Sequence, residues 1–166
     1  MKKIFLFFGL GILLVVFQAS LLARLFPFIP RPNLLLIVLV YLSQCEDAFW
    51  IPLWVAGVGL FFDALSGGPF GLFTLVFVAV YVVMRGAAKA FLLVRPSFRA
   101  GAVLAAHLLQ GGFLLGILSF LGFPFPGDYS RLIQFIVCSL IGSLLSLPLF
   151  VILERIEYAA AVPRPD

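Results

Sequence analysis

This sequence has little charge. Only 11% of its 166 residues are Asp, Glu, Lys or Arg, where a soluble domain carries about 25%. With 64% hydrophobic residues and a mean hydropathy of +1.23, nothing is left over from which a water-soluble domain could be built. Histidine and cysteine are scarcer still. One histidine, and neither Gly-x-Ser-x-Gly nor His-Glu-x-x-His, leaves no catalytic constellation. Cys45 and Cys138 are isolated thiols in apolar surroundings, which excludes a disulfide framework and any metal-ligand spacing. Ser66 stands among glycines with no neighbouring base, so it reads as a turn residue and not as a nucleophile. The expectation is a protein that is not an enzyme and carries no cofactor.

The basic excess, a net charge of +4, does not point to nucleic acid. Lys and Arg sit at the ends of apolar blocks, where they set the orientation of membrane helices. Six such blocks are present: Ile4–Ala23, Pro32–Cys45, Phe49–Leu65, Phe70–Val94, Ala100–Leu121 and Arg131–Leu153. The first also resembles a signal peptide with a small-residue site near Gln18-Ala19-Ser20. Its apolar run resumes at Leu21 and totals about 20 residues, long enough to span, so it reads as an uncleaved helix. The second block is short, about 21 Å of helix against a core near 30 Å, and needs shielding within the bundle or a thinned bilayer. Fused with the third it would run about 51 Å, too long for ordinary tilt. The expected fold class is therefore an all-α integral membrane protein, a six-helix transmembrane bundle over residues 1–153, with residues 154–166 as a short cytoplasmic tail.

Counting Lys and Arg tests that topology. With six crossings and both termini cytoplasmic, Lys2, Lys3, Arg85, Lys89, Arg95, Arg99, Arg155 and Arg164 lie inside, against Arg24, Arg31 and Arg131 outside. Dropping the short block reverses most of this. Trp50 and Trp54 then fall near the inner interface and Tyr129 near the outer one. Small residues recur at helix-packing spacing in Ala19-x-x-x-Ala23, Gly112-x-x-x-Gly116, and Ser139-x-x-x-Ser143 beside Gly142-x-x-x-Ser146, marking helix contacts within the bundle or with another protein.

One charge stands inside an apolar run. Asp63 closes the third block, and Ser66-Gly67-Gly68-Pro69-Phe70-Gly71 follows as a turn. An acidic side chain at membrane depth costs at least a few kcal/mol unless it is paired or reaches water, so it is a functional-site candidate by default. Two arrangements satisfy it: an ion pair with Arg31, or hydrogen bonds from backbone N–H groups of the turn and the start of the fourth helix, whose N-terminus is electropositive. His107 and Gln110 share one face of the fifth helix as a relay or as a buried polar pair bridging helices. Gln18 and Gln134 are similar single polar residues. No second intramembrane carboxylate completes a proton path.

Arg31-Pro32-Asn33 opening the second helix, Tyr41, Gly57-x-Gly59, and Asp63-x-x-Ser66-Gly67-x-x-Phe70-Gly71 together resemble the rod shape-determining MreD family, with Gln18 and Tyr81 also in keeping. The sharp part of the resemblance covers residues 31–71; beyond residue 87 it rests on hydropathy, and Phe70 replaces a commoner Leu. The resemblance implies a non-enzymatic, multi-pass subunit of the bacterial inner membrane in the cell-elongation machinery. Its implied direct partner is the bitopic protein MreC, and through MreC it is tied to the actin-like MreB, to RodA and to RodA's transpeptidase partner. Arg31, Pro32, Asn33, Asp63, Ser66, Gly67 and Gly71 become its motif residues, with roles in structure or partner contact. The six-helix architecture is also similar to the substrate-binding subunits of energy-coupling-factor vitamin transporters, which dock through an Ala-x-x-x-Ala face like that of Ala19 and Ala23. Such a pocket needs several convergent polar groups. A channel or carrier is a third reading, and it lacks a polar ring to line a pore.

Overall fold

The computed structural model describes residues 2–22, 33–44, 49–67, 69–91, 96–122 and 129–161. Among them the chain is all helical: α1 (Lys2–Val16), extended by a wider π-type turn over Phe17–Leu22, α2 (Leu34–Gln44), α3 (Trp50–Ser66), α4 (Leu72–Phe91), α5 (Pro96–Phe120) and α6 (Tyr129–Ala161). The six apolar blocks thus correspond to six helices. Three stretches, Leu72–Ala90, Arg99–Phe120 and Ile133–Tyr158, are long and apolar enough to cross a membrane.

Proline sets two of the starts. Pro96 opens α5 and Pro52 lies in the first turn of α3, positions where a missing N–H leaves no helical bond unmade. Pro148 lies inside α6 and withholds one such bond in mid-helix. The apolar block ending at Leu153 lies within a longer helix, because α6 continues to Ala161. Residues 154–161 stay helical because their acids find partners on the bundle. Glu154 forms an ion pair with Arg99, and Tyr41 Oη donates to Glu157 Oε2 at 2.6 Å.

Side-chain contacts fix the helix directions. Trp54 Nε1 donates to the Phe7 carbonyl at 2.7 Å, while Gly11 faces Val58 and Trp54, so α1 and α3 run parallel. Between α3 and α4, Gly59 and Asp63 both meet the first turn of α4, the geometry of an antiparallel pair. Gly111 against Phe135 and Ser143 Oγ bonded to the Ala100 carbonyl at 2.8 Å make α5 and α6 antiparallel. Arg85, near the end of α4, donates to the Ser43 carbonyl at 2.6 Å, placing the C-termini of α2 and α4 together. Phe7 near the start of α1 stacks on Tyr41 at 6.4 Å, and Tyr41 bonds Glu157 near the end of α6. Both ends of the described chain therefore gather at one end of the bundle, with the C-terminus of α2.

The core lies around α2. Every residue from Leu34 to Ser43 is buried, on all faces of a helix only about 16 Å long. A helix apolar all round belongs in an interior, and α2 packs against α1, α3, α4, α5 and α6. It is shorter than the expected block because Asn33 caps it: the Leu35 N–H donates to Asn33 Oδ1 at 3.2 Å and the Leu36 N–H to the Asn33 carbonyl at 3.1 Å.

One placement differs from expectation. Trp54 is not an interfacial ring but a core residue, its N–H satisfied by the Phe7 carbonyl; Trp50, half-buried, packs on Phe7 at 5.7 Å. Of the two contacts open to Gly112 and Gly116, one within the bundle is not formed among the described residues: both lie on an exposed face with open space beside them, and Gly111 seats the Phe135 ring. The Ser139–Ser146 stripe does pack inside the α5–α6 seam, where Ser139 and Ser146 are buried. Arg24, Cys45, Glu46, Asp47 and Ala23 fall outside the described residues, as do the side chains of Ala19 and Tyr129.

Candidate functional site

The site begins at Gly59. A Cβ there would lie 2.8 Å from the Thr74 Cα, closer than side-chain carbon tolerates, so only glycine lets the backbones of α3 and α4 touch. One turn on, the same face of α3 carries Asp63. The crossing aims its carboxylate straight at the first turn of α4.

There Asp63 accepts three hydrogen bonds. The Phe73 N–H donates to Oδ1 at 2.8 Å, the Thr74 N–H to Oδ2 at 3.0 Å, and the Thr74 hydroxyl to Oδ2 at 2.5 Å. These two amides belong to the first turn, whose N–H groups have no partner within their own helix. A local cap residue ordinarily satisfies them. Gly71 precedes α4 and has no side chain with which to do so. An acid ten residues upstream of Phe73 takes over the task from a different helix. Its negative end meets the positive end of the α4 dipole. Asp63 is 2% exposed, so the three bonds replace the water it has lost.

The turn between the helices is shaped to allow this. Ser66 Oγ donates to the Asp63 carbonyl at 3.0 Å. Gly67 ends α3 at φ 66°, in the left-handed region that glycine enters without a Cβ penalty. The Leu72 N–H donates to the Pro69 carbonyl at 3.2 Å, Gly71 turns at φ 91°, and the Leu75 N–H donates to the Gly71 carbonyl at 2.9 Å. At the tip Phe70 projects outward, 74% exposed, beside exposed Ser66, Gly67 and Pro69.

Of the residues the sequence singles out, Asn33, Asp63, Ser66, Gly67 and Gly71 each perform a bonding or turning task at one end of the bundle. Arg31 and Pro32 lie outside the described residues, and so does the alternative pairing of Asp63 with Arg31. Acceptance of backbone N–H groups at the start of the fourth helix, the second arrangement expected for Asp63, is formed. Two participants were not foreseen. Thr74 donates twice, and its signal was a hydroxyl residue in the first turn of a helix. Gly59, singled out in the sequence only within Gly57-x-Gly59, is the contact point. Both Asp63 oxygens are engaged as acceptors, which suits an anchor rather than a mobile proton carrier.

The other polar candidates are scattered. His107 is 3% exposed, with Nδ1 2.9 Å from the Val103 carbonyl on its own helix and Nε2 without a partner among the described residues. Gln110 is half-buried, Gln134 exposed, and Gln18 half-buried, its Nε2 without a partner among the described residues. They form no common cluster with Asp63.

At the opposite end sits a network with no counterpart in the sequence reading. Arg85 holds the end of α2, Tyr41 holds Glu157, and Arg99 pairs with Glu154 while lying 5.7 Å over the Phe150 ring. Phe150 in turn packs on Tyr41 at 5.8 Å. No family model, curated protein or solved structure matches this chain.

Proposed function

We propose that this chain is a multi-pass, non-enzymatic subunit of the bacterial inner membrane that helps assemble or regulate peptidoglycan synthesis during cell elongation. In this reading it binds MreC and, through it, joins MreB, RodA and RodA's transpeptidase partner. The observation that carries the reading is the elbow. Five of the residues by which the chain resembles the MreD family build it: Gly59 sets the crossing, Asp63 the cap, and Ser66, Gly67 and Gly71 the turn. A rigid, uncharged corner with Phe70 at its tip offers a partner an anchoring aromatic, a residue type favoured at binding hot spots.

Six crossings with both termini inside fit the alternating helix directions. The basic side chains described, Arg85, Lys89, Arg99 and Arg155, all belong to the end where the chain termini meet, and a cytoplasmic location suits them. The short α2 is compatible with crossing because its neighbours shield it from lipid.

Two measurements test this. A cysteine at Ser66 in a chain otherwise lacking cysteine is expected to react with a membrane-impermeant maleimide from outside the cell; reaction only after the cytosol is opened would reverse the orientation. Co-purification of MreC from membranes is expected to fall roughly tenfold with Phe70→Ser, the loss typical of a modest hot-spot residue. Undiminished recovery would remove the elbow as the docking edge.

A further inference from the structure

The outer face of α6 changes character along its length. Ile133, Leu140, Leu144 and Val151 form an exposed apolar stripe, about 27 Å long at 1.5 Å per residue, close to the thickness of a hydrocarbon core. The same stripe continues, four and seven residues past Val151, with Arg155 and Tyr158, both exposed and Tyr158 at 74%. The acids of this segment are turned elsewhere. Glu154 is held by Arg99 of α5, and Glu157 by Tyr41 of the buried α2. One emergent helix thus sorts its charges, with the anions drawn toward the bundle and the cation turned outward. Arg99, fixed by Glu154 and the Phe150 ring, adds a second guanidinium beside the same turn of α6.

From this geometry we infer that Val151, Arg155 and Tyr158 form a seat for an anionic phospholipid of the cytoplasmic leaflet. The lipid's acyl chain lies along the Leu144–Val151 stripe, its phosphate meets the Arg155 guanidinium, and the Tyr158 ring stands at headgroup level. A guanidinium at the edge of an apolar stripe matches a charged group covalently joined to an apolar chain, which a free phosphate does not offer. Arg and Tyr favour this depth for their own reasons, since the arginine stem buries while its head reaches out and the phenol is amphipathic. The inference rests on the membrane placement proposed above and on nothing about partners.

The test uses the full chain purified in detergent and reconstituted into nanodiscs of phosphatidylcholine doped with phosphatidylglycerol. Phosphatidylglycerol retained on re-extraction is read by native mass spectrometry. Selective retention of phosphatidylglycerol is expected, with a loss of about fivefold in Arg155→Gln, the factor represented by about 1 kcal/mol per basic residue near an anionic surface. Arg155→Lys is expected to keep most of it. Thermal stability in neutral detergent should not change with Arg155→Gln, because the side chain is exposed. Equal retention of both lipids, or no change in Arg155→Gln, overturns the seat. So does competition by millimolar inorganic phosphate, which would mark an ordinary anion site. Incorporation into the nanodisc is read in the same experiment, so failure of headgroup selection is distinguishable from failure of membrane insertion.

Discussion

Asp63→Ala is expected to lower the free energy of unfolding by about 3–4 kcal/mol, measured by denaturant titration of the purified protein in mild detergent. The deletion strands the Phe73 and Thr74 amides and the Thr74 hydroxyl. A buried donor left without an acceptor costs about 1–3 kcal/mol. The hydroxyl rotates toward a carbonyl of its own helix, so the two amides dominate the loss. Asp63→Asn keeps one acceptor oxygen and is expected to lose about half as much. Thr74→Val removes only the hydroxyl bond and should cost about 1 kcal/mol. An Asp63→Ala protein as stable as the parent would mean that the cap contributes nothing.

Gly59→Val should be comparably damaging for a different reason. Its Cβ would lie 2.8 Å from the Thr74 Cα, and a backbone atom cannot rotate away as a side chain can. The helices must part, costing about 1–3 kcal/mol for overpacking alone. Parting them also draws Asp63 off the α4 amides, so the total is expected to reach about 4 kcal/mol and to deplete folded protein from the membrane. Gly57→Ala is the control: its Cβ would meet the edge of the Phe8 ring at 3.3 Å, and a tilt of that ring relieves the contact. The double change Gly59→Val with Asp63→Ala should cost less than the sum, because both act on one contact. Additive losses, or a Gly59→Val protein as stable as Gly57→Ala, would separate the crossing from the cap.

How much of this was legible beforehand depends on the kind of information each residue carries. The six helices were legible because apolar runs of this length, broken by Gly, Pro and charge, have few other ways to satisfy their backbone in lipid. Asp63 was legible because a lone acid in such a run must be answered by something. That the α4 amides answer it was not, since this requires knowing how closely α3 and α4 approach, and that distance hangs on Gly59. The full length of α6 was not legible for a related reason. Hydropathy drops at Glu154, yet the helix persists because Arg99 and Tyr41 reach it from segments 55 and 116 residues away. Trp54 illustrates the same gap: a tryptophan near a span's end fits an interface or a core equally well, and only the Phe7 carbonyl decides. Hydropathy reports how much apolar surface a segment has, not which neighbour will cover it.

The enclosure of α2 has a consequence for biogenesis. A segment of 11 residues is too brief to partition from the translocon into lipid by itself. Its final wrapping also draws on α4, α5 and α6, which leave the ribosome later. On the proposed six-crossing topology, insertion is expected to proceed in two acts: α2 waits beside its flanking hairpin arms, and permanent burial comes only when the C-terminal half closes around it. Chains stalled before α6 emerges would present an unfinished interior to the quality-control proteases of the membrane.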